Sequence, residues 1–203
     1  MNPEIFRNPW SAESAMAVAI WCWLVLGIVW LLMRFFIKRT KQRESPAEFA
    51  EHAIPAIAGF WLIFETDRTW PPLQGRLFPG IPAIWNLGLA LVVAGVLIGI
   101  WARLALGRNW SGTVTLKDDH KLIGSGPYRW IRHPIYTGIL LAALGSAIIR
   151  GHLQQMLGFA ILLLGFYFKA RREERFLRQE FGTGFTEHFR RTGMFLPKLS
   201  SGN

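Results

Sequence analysis

Apolar residues run through this chain in long stretches, separated by short basic segments. The first stretch covers about Ala15 to Ile37 and stops at Lys38-Arg39-Thr40-Lys41-Gln42-Arg43. A weaker run from Ala53 to Phe64 contains Pro55 and Gly59 and is short for a full bilayer crossing. A third covers Ile81 to Leu106, a fourth starts at Pro134 and ends near Ile149, and a fifth runs from Leu153 to Phe168. Only Arg150-Gly151-His152 separates the last two, which predicts a tight helical hairpin. Each of these two falls a little short of the bilayer, so tilt or local thinning is expected. Further on, Phe181, Phe185 and Phe189 recur every four residues and predict a short amphipathic helix packed on the bilayer or on the preceding connector. The fold class is therefore all-α, a polytopic membrane protein of about five transmembrane helices with a C-terminal helical hairpin and a cytoplasmic amphipathic helix. Residues 1–106 would hold three spans with short loops. Residues 107–203 would form a second region: connector, hairpin and cytoplasmic tail.

Composition supports this picture. Fully 51% of the 203 residues are hydrophobic, with ten Trp and fifteen Phe, an excess that a soluble domain of this length does not need. The single cysteine, Cys22, lies inside the first apolar run, which rules out an intrachain disulfide and argues against a cysteine metal site. No cleavable signal is expected, because the first run is long enough to span. The outer segment Glu65 to Gly80 reads as an irregular connector, and the closing Ser200 to Asn203 is expected to fray.

Charge sets the orientation. The net charge of +10 could suggest nucleic acid, but the bases alternate with apolar spans, so a membrane explanation is preferred and no nucleic-acid partner is expected. With the N-terminus outside, nineteen of the 23 Lys and Arg fall in inner segments and four in outer ones, as the positive-inside rule requires. The C-terminus is then cytoplasmic. Short loops favour a prokaryotic plasma membrane over endoplasmic reticulum, where a eukaryotic relative would lie.

The candidate chemistry gathers on the inner face. Residues 126 to 138 place Arg132, His133 and Tyr136 around the start of the fourth helix, with Pro134 suited to its first turn. A helix start carries unpaired N–H groups and partial positive charge, so this corner is a ready anion site. If the hairpin is compact, it brings Tyr128, His133 and Tyr136 near Lys169, Arg172, Glu173 and Glu174. Lys169 and Glu173 share one helical face, and an ordinary salt-bridged helix end is the bland alternative. Ionisable groups at the bilayer edge favour a site. No histidine pair has metal-ligand spacing, so no metal is expected.

At these residues the chain resembles the isoprenylcysteine carboxyl methyltransferase family. The matching stretches are Asn109-Trp110-Ser111, His120-Lys121-Leu122-Ile123, Gly126-Pro127-Tyr128, Arg132-His133-Pro134-Ile135-Tyr136-Thr137-Gly138, Glu173-Glu174, Phe181-Gly182 and Phe195-Leu196-Pro197. They span roughly the last 95 residues. The resemblance implies a multi-span enzyme that moves a methyl group from S-adenosyl-L-methionine to a lipophilic acceptor entering from the bilayer. By motif position it implies cofactor contacts at His120, Lys121, Leu122, Ile123, Tyr128, His133, Pro134, Ile135, Tyr136, Glu173 and Glu174. Candidate catalytic residues are Lys169, Glu173 and Arg132. The family places an Arg for the acceptor carboxylate where this chain has Lys169, which keeps the charge but loses the bidentate fork. The acceptor is therefore open between an isoprenylcysteine carboxylate, a phospholipid amine, and a lipophilic thiol or acid. The expected pairing sets the cofactor carboxylate at the Pro134 helix start, its ammonium at Glu173, and the sulfonium or adenine on Tyr128 and Tyr136. An amine acceptor would need His133 or Glu174 as base. Two rival readings are an NADPH-dependent sterol- or enone-type reductase and a non-catalytic scaffold that binds acidic lipids.

Overall fold

In the computed structural model, the described residues are 11–33, 35, 40–43, 45–65, 71–73, 75–107, 115–117 and 123–198. Five helices follow one another: α1 (Ala12–Met33), α2 (Pro46–Phe64), α3 (Pro82–Leu106), α4 (Pro134–Arg150) and α5 (Leu153–Arg191). A short antiparallel ribbon pairs β1 (Thr40–Arg43) with β2 (Thr115–Lys117), tying the first inner loop to the connector before α4. Four of the helices are long and apolar enough to cross a membrane. The fifth, α4, has 17 residues and would extend about 25 Å at 1.5 Å per residue.

Two helices start or stop elsewhere than hydropathy alone predicts. Helix α2 begins at Pro46, seven residues before the apolar run, because Ser45 and Glu48 form a capping box. The Ser45 hydroxyl accepts from the Glu48 N–H at 3.3 Å, and the Glu48 carboxylate accepts from the Ser45 N–H at 2.8 Å. Helix α5 does not end at Phe168. It continues through the charged segment to Arg191, interrupted only at Gly182, whose φ of 51° is left-handed. The expected amphipathic helix is thus the distal part of α5. Its Phe185 is buried in the protein rather than facing lipid.

Two seams hold the bundle together. Helices α3 and α4 run antiparallel, with Gly88, Gly95 and Gly99 against Gly138, Ala142 and Gly145. A Cβ on Gly95 would lie 2.5 Å from the Gly138 carbonyl oxygen, and one on Gly138 would lie 2.6 Å from the Gly95 carbonyl. The backbones therefore touch, the kind of contact by which helices associate in lipid. Helices α2 and α5 are also antiparallel and meet at Gly59 and Gly158, where a Cβ on either would come within 2.8 Å of the other's carbonyl. The α4–α5 turn is capped by Gly151 (φ 76°). Beyond the turn each helix packs mainly on its other neighbour, α4 on α3 and α5 on α2. The two still meet in the core through Tyr136, Leu140 and Ala143 of α4 with Leu162, Phe166 and Ala170 of α5.

Helix α4 lies at the centre and is buried along most of its length, whereas α1 presents Trp21, Leu24, Ile28 and Leu32 outward. An outward apolar surface of that kind suits lipid. At the end of the bundle that holds the α4–α5 turn, neutral groups close the structure. Gln154 donates to the Leu62 carbonyl at 3.3 Å, Gln155 donates to the Glu65 carbonyl at 3.4 Å, and Leu77 N–H donates to the Gly151 carbonyl at 2.8 Å. Charged side chains concentrate at the opposite end.

Candidate functional site

Pro134 at the first position of α4 removes a donor where none is needed, and the His133 carbonyl starts the helix by accepting from Thr137 N–H at 3.0 Å. The His133 side chain makes no cap of its own helix; it turns to α5. Its Nδ1 lies 3.4 Å from a Glu173 carboxylate oxygen and its Nε2 lies 3.3 Å from one of Glu174. The Tyr136 hydroxyl donates to Glu173. The imidazole also stacks on the Tyr136 ring, with centroids 5.4 Å apart and planes within 2°. One histidine therefore bridges two consecutive glutamates, and α4 and α5 meet through it.

Burial would discourage charge on His133, but the hydrogen bonds and negative charges of Glu173 and Glu174 outweigh it, so its pKa is raised. His133 lies before α4, outside the apolar segments. Tyr128 sits in the one-turn helix Gly126–Arg129 and packs in the same core cluster as Ile135, Tyr136 and Phe166. Burial first, then the charge of Glu173, push its hydroxyl well above the usual tyrosine value, with Arg103 pulling the other way. It stays neutral and within electrostatic reach of Glu173.

Arg132 has its donors turned inward onto the protein. Its Nε donates to Glu174 at 2.7 Å, and Nη1 reaches the carbonyls of Thr192 and, at 3.4 Å, Phe189. Its guanidinium lies 4.0 Å from the centre of the Phe189 ring. Arg132 therefore acts as a brace that joins the corner, Glu174 and the far end of α5. The segment after α5 completes the brace as a strap. Arg132 N–H donates to the Gly193 carbonyl at 2.8 Å, and His133 N–H donates to the Met194 carbonyl at 3.1 Å. The Thr137 hydroxyl lies 2.7 Å from the Phe195 carbonyl, and the Phe195 ring meets His133 edge-on at 6.2 Å. Gly193 is required there, since a Cβ would run into the Leu196 carbonyl.

Lys169 lies at the other side of the centre, its Nζ 5.4 Å from the Tyr136 ring centroid. The same side chain lines a cavity of about 330 Å³ between α2 and α5, walled by Phe49, Ala53, Ala56, Ile57, Phe60, Gly165 and Phe166, with His52 on the α2 side. Phe166 lines this cavity and also packs on Tyr136 at 4.9 Å, so the cavity adjoins the polar centre. Arg172, one turn beyond, donates to the Glu48 carbonyl at 2.5 Å and pairs with Glu51, which holds the inner end of α2 against α5.

Of the residues singled out by sequence, Tyr128, His133, Pro134, Ile135, Tyr136, Lys169, Glu173, Glu174 and Arg132 come together. Ile123 packs at the edge of the same core cluster. His120, Lys121 and Leu122, the Asn109-Trp110-Ser111 stretch and the closing Ser200 to Asn203 lie outside the described residues. The His133 and Arg132 side chains at the helix corner are met by the protein's own Glu173 and Glu174. Sequence reasoning missed the strap from Thr192 to Phe195 as a wall of the site. It also missed His52, which carries no motif. A cue existed for α2, because the Ser45–Glu48 capping box makes the segment holding His52 helical.

The family model for isoprenylcysteine carboxyl methyltransferases matches residues 88–179, a range that holds the whole polar centre. A probable protein-S-isoprenylcysteine O-methyltransferase of Oryza sativa subsp. indica is 34% identical over 130 residues, covering 61% of this chain and 68% of that protein. Protein-S-isoprenylcysteine O-methyltransferase B of Arabidopsis thaliana is 29% identical over 128 residues, covering 59% of this chain and 64% of its own. A solved structure of a eukaryotic intramembrane Ras methyltransferase superposes with a TM-score of 0.48 at 24% identity, over 77% of this chain and 54% of that one. The chain belongs to the isoprenylcysteine carboxyl methyltransferase family and is an integral, multi-pass membrane methyltransferase.

Proposed function

We propose that this chain uses S-adenosyl-methionine to methylate a carboxylate carried on an apolar tail, of the isoprenylcysteine kind named for its relatives. One observation carries the reading: Lys169 belongs at once to the His133–Tyr136–Glu173 centre and to an apolar cavity between two helices. A charged head and an apolar tail can be held by that arrangement together. The reductase and scaffold readings are not favoured, since the relatives are methyltransferases.

The residues present fit the cofactor. Glu174 is held by Arg132 and His133 and is 5% exposed, whereas Glu173, also held by His133 and by Tyr136, keeps 22% of its side chain exposed and is the carboxylate for a ligand ammonium. The Tyr136 face already receives a cation, Lys169, so it suits a sulfonium as well. Bound there, S-adenosyl-methionine supplies an electrophilic methyl group. Glu173, Tyr136 and Tyr128 would hold it, and the connector around His120 to Ile123 is proposed to reach its adenine. His133 and the Tyr136 hydroxyl fix the orientation of Glu173. Arg132 positions Glu174 and the strap and does not touch the acceptor. Tyr128, Phe166 and Phe195 exclude water around the centre.

The charge state favours a carboxylate acceptor over an amine. A carboxylate is ionised at neutral pH and needs no base. An amine must lose a proton, but both ring nitrogens of His133 already face glutamate oxygens, and Glu174 is paired with Arg132. The excess of inner basic residues supports a cytoplasmic site with the N-terminus outside. The catalytic groups then come from residues 107–203, with α2 as the wall of the tail cavity.

The test is methyl transfer from labelled donor by protein in nanodiscs. A prenylated cysteine acid, its primary amide and phosphatidylethanolamine are offered as acceptors. Label should appear on the acid as a base-labile ester. Label on the lipid amine, or on none of the three, would overturn the proposal.

A further inference from the structure

The exposed face of α5 changes chemistry along its length. Leu157, Leu164 and Phe168 are 40%, 55% and 57% exposed, and beyond them Arg171, Arg175 and Arg178 are exposed as well. At about 100° per residue all six fall within about 80° of one another, so they form one stripe, apolar first and then basic. The helix is buried on its other side, at Leu162, Gly165 and Phe166. Acids do not absorb the three arginines. Arg171 and Arg175 make no hydrogen bond or ion pair among the described residues, although the charge of Arg175 reaches Glu48. Arg178 lies over the Phe189 ring, 5.3 Å from its centre. Glu174, one turn before Arg178, is turned inward to Arg132 and His133, and Glu180 falls on the opposite side of the helix. By contrast Arg172, off the stripe, has an acid of its own in Glu51.

From Arg171 to Arg178 the axis advances about 10 Å, against roughly 5 to 8 Å of headgroup layer on each side of the hydrocarbon. With Leu164 and Phe168 in lipid, the arginines stand at headgroup depth. The same boundary recurs on α3, where exposed Leu97, Trp101 and Leu104 give way to Trp130 and Arg129. The Arg129 guanidinium lies 5.9 Å from the Trp130 ring centre, and that ring lies 6.3 Å from Trp101. Tryptophans of this kind mark the interface. We propose that Arg171, Arg175 and Arg178 form a docking stripe for the headgroups of anionic phospholipids. A guanidinium takes phosphate oxygens two at a time, and the acyl chains then run along Phe168, Leu164 and Leu157. The stripe shares its axial level with Lys169 and Glu173, which occupy the opposite face, so the bound lipid holds the polar centre at headgroup depth. This docking does not depend on what the centre methylates.

The test is a lipid titration of purified protein in detergent, with bound lipid counted by native mass spectrometry. Phosphatidylglycerol is compared with phosphatidylcholine on the wild type and on a triple variant, Arg171→Gln with Arg175→Gln and Arg178→Gln. A charge-matched control carries Arg190→Gln, Arg191→Gln and Lys198→Gln, whose bases are exposed but lie beyond the break at Gly182. One base near an anionic surface is worth about fivefold in affinity. The wild type should hold phosphatidylglycerol at least about tenfold more tightly than phosphatidylcholine. The triple variant should lose most of that preference, and the control should keep it. No preference in the wild type, or equal loss in both variants, overturns the proposal. So does displacement of the lipid by millimolar inorganic phosphate, which would make the stripe a site for a free anion. Binding of polyglutamate without any headgroup preference would assign it to an acidic protein and overturn it too. If the triple variant does not fold, wild-type protein carries the test. A phosphatidylglycerol with a photoreactive headgroup should then crosslink within residues 168–178, and crosslinks confined to other segments refute the site.

Discussion

The two seams of this bundle are built from the same element, glycine on facing helices, yet they end differently. Along α3 and α4 the glycines recur from Gly88 to Gly145, and the backbones stay in contact from the outer end to the start of α4. Along α2 and α5 a Cβ on Gly59 or Gly158 would meet the other's carbonyl within 2.8 Å, while at Gly165 the nearest α2 backbone atoms, Ala56 N and the His52 carbonyl, lie at 3.3 Å, and Phe49, Phe60 and Phe166 line a cavity beside that looser contact. The closed seam fixes α4, and with it His133 and Tyr136. The more open seam leaves room for a second molecule beside Lys169. The difference shows how a small membrane protein can separate rigidity from access: one helix pair is closed along its length, and the other is looser where larger side chains border a cavity.

The largest effect should come from forcing the closed seam. Gly138→Leu puts a side chain where the Gly95 carbonyl and Gly99 backbone already sit within 2.8 Å of a Cβ. Backbone atoms cannot move aside, so destabilisation of more than about 3 kcal/mol is expected, seen as loss of folded protein in a detergent thermal scan. A variant that melts like the wild type would mean the seam is not closed as described. Next comes Glu173→Gln, at the point where the seams converge. It keeps the volume and loses the charge, and methyl transfer should fall about a hundredfold or more, with S-adenosyl-homocysteine affinity lost in parallel by calorimetry. Unchanged affinity would remove Glu173 from the cofactor site.

The sequence made parts of this contrast legible and hid others. The spans stood out because apolar runs of α1, α3 and the first half of α5 are longer than any soluble helix needs. The meeting of His133 with Glu173 and Glu174 was also readable, because a two-residue turn at Gly151 and His152 forces the following helix back past the preceding one. The start of α2 escaped hydropathy because Glu48, Glu51 and His52 interrupt its apolar pattern, although Ser45 and Glu48 marked the cap. Lys169, Glu173 and Glu174 were placed on the fifth helix, but its continuation to Arg191 escaped, because charged residues are good helix formers that end an apolar run without ending a helix. Helix pairing was not legible at all. Glycines 95 and 138 lie far apart in sequence, and nothing local says they touch. The strap at Gly193 and Met194 is likewise a pairing with residues more than sixty positions away, with no periodic signature of its own.

Filling the open seam is the milder perturbation. Ala56→Trp places an indole in the cavity between α2 and α5, where there is room for it. The tail of the acceptor then loses apolar contact equivalent to about two methylenes, which raises KM roughly tenfold. The melting temperature should hold or rise, because the void is filled. Cofactor affinity should stay within about twofold, since Ala56 lies on the α2 wall of the cavity while Glu173 is held on α5 by His133 and Tyr136. A large fall in S-adenosyl-homocysteine affinity would mean that the indole intrudes on the polar centre and that the cavity does not serve the tail alone.

The smallest effect, and the sharpest test of the polar centre, is the pH dependence of stability. His133 has a raised pKa when folded, so it binds its proton more tightly in the folded state than in the unfolded one. The sign follows from linkage: its contribution is fully present below the unfolded value of about 6.5 and is lost as pH rises through the higher folded value. Carboxylates are ionised in both states across this range and add no slope. His152 and His188 work the other way: burial first, then Arg76 and Arg150 for His152 and Arg132 and His133 for His188, lower their pKa, so each costs stability at low pH and that cost is gone once pH reaches the unfolded value of about 6.5. The measurement must therefore be a difference. His133→Gln keeps a donor and an acceptor between Glu173 and Glu174 but cannot titrate, while His152 is untouched. Subtracting its melting curve from that of the wild type, between pH 6 and pH 9, should leave a stability term that declines steadily toward alkaline pH. A flat difference would mean that the two glutamates do not raise the proton affinity of His133. An amine acceptor, which needs a base at this corner, would then regain a candidate base, while the closed and open seams would stand as they are.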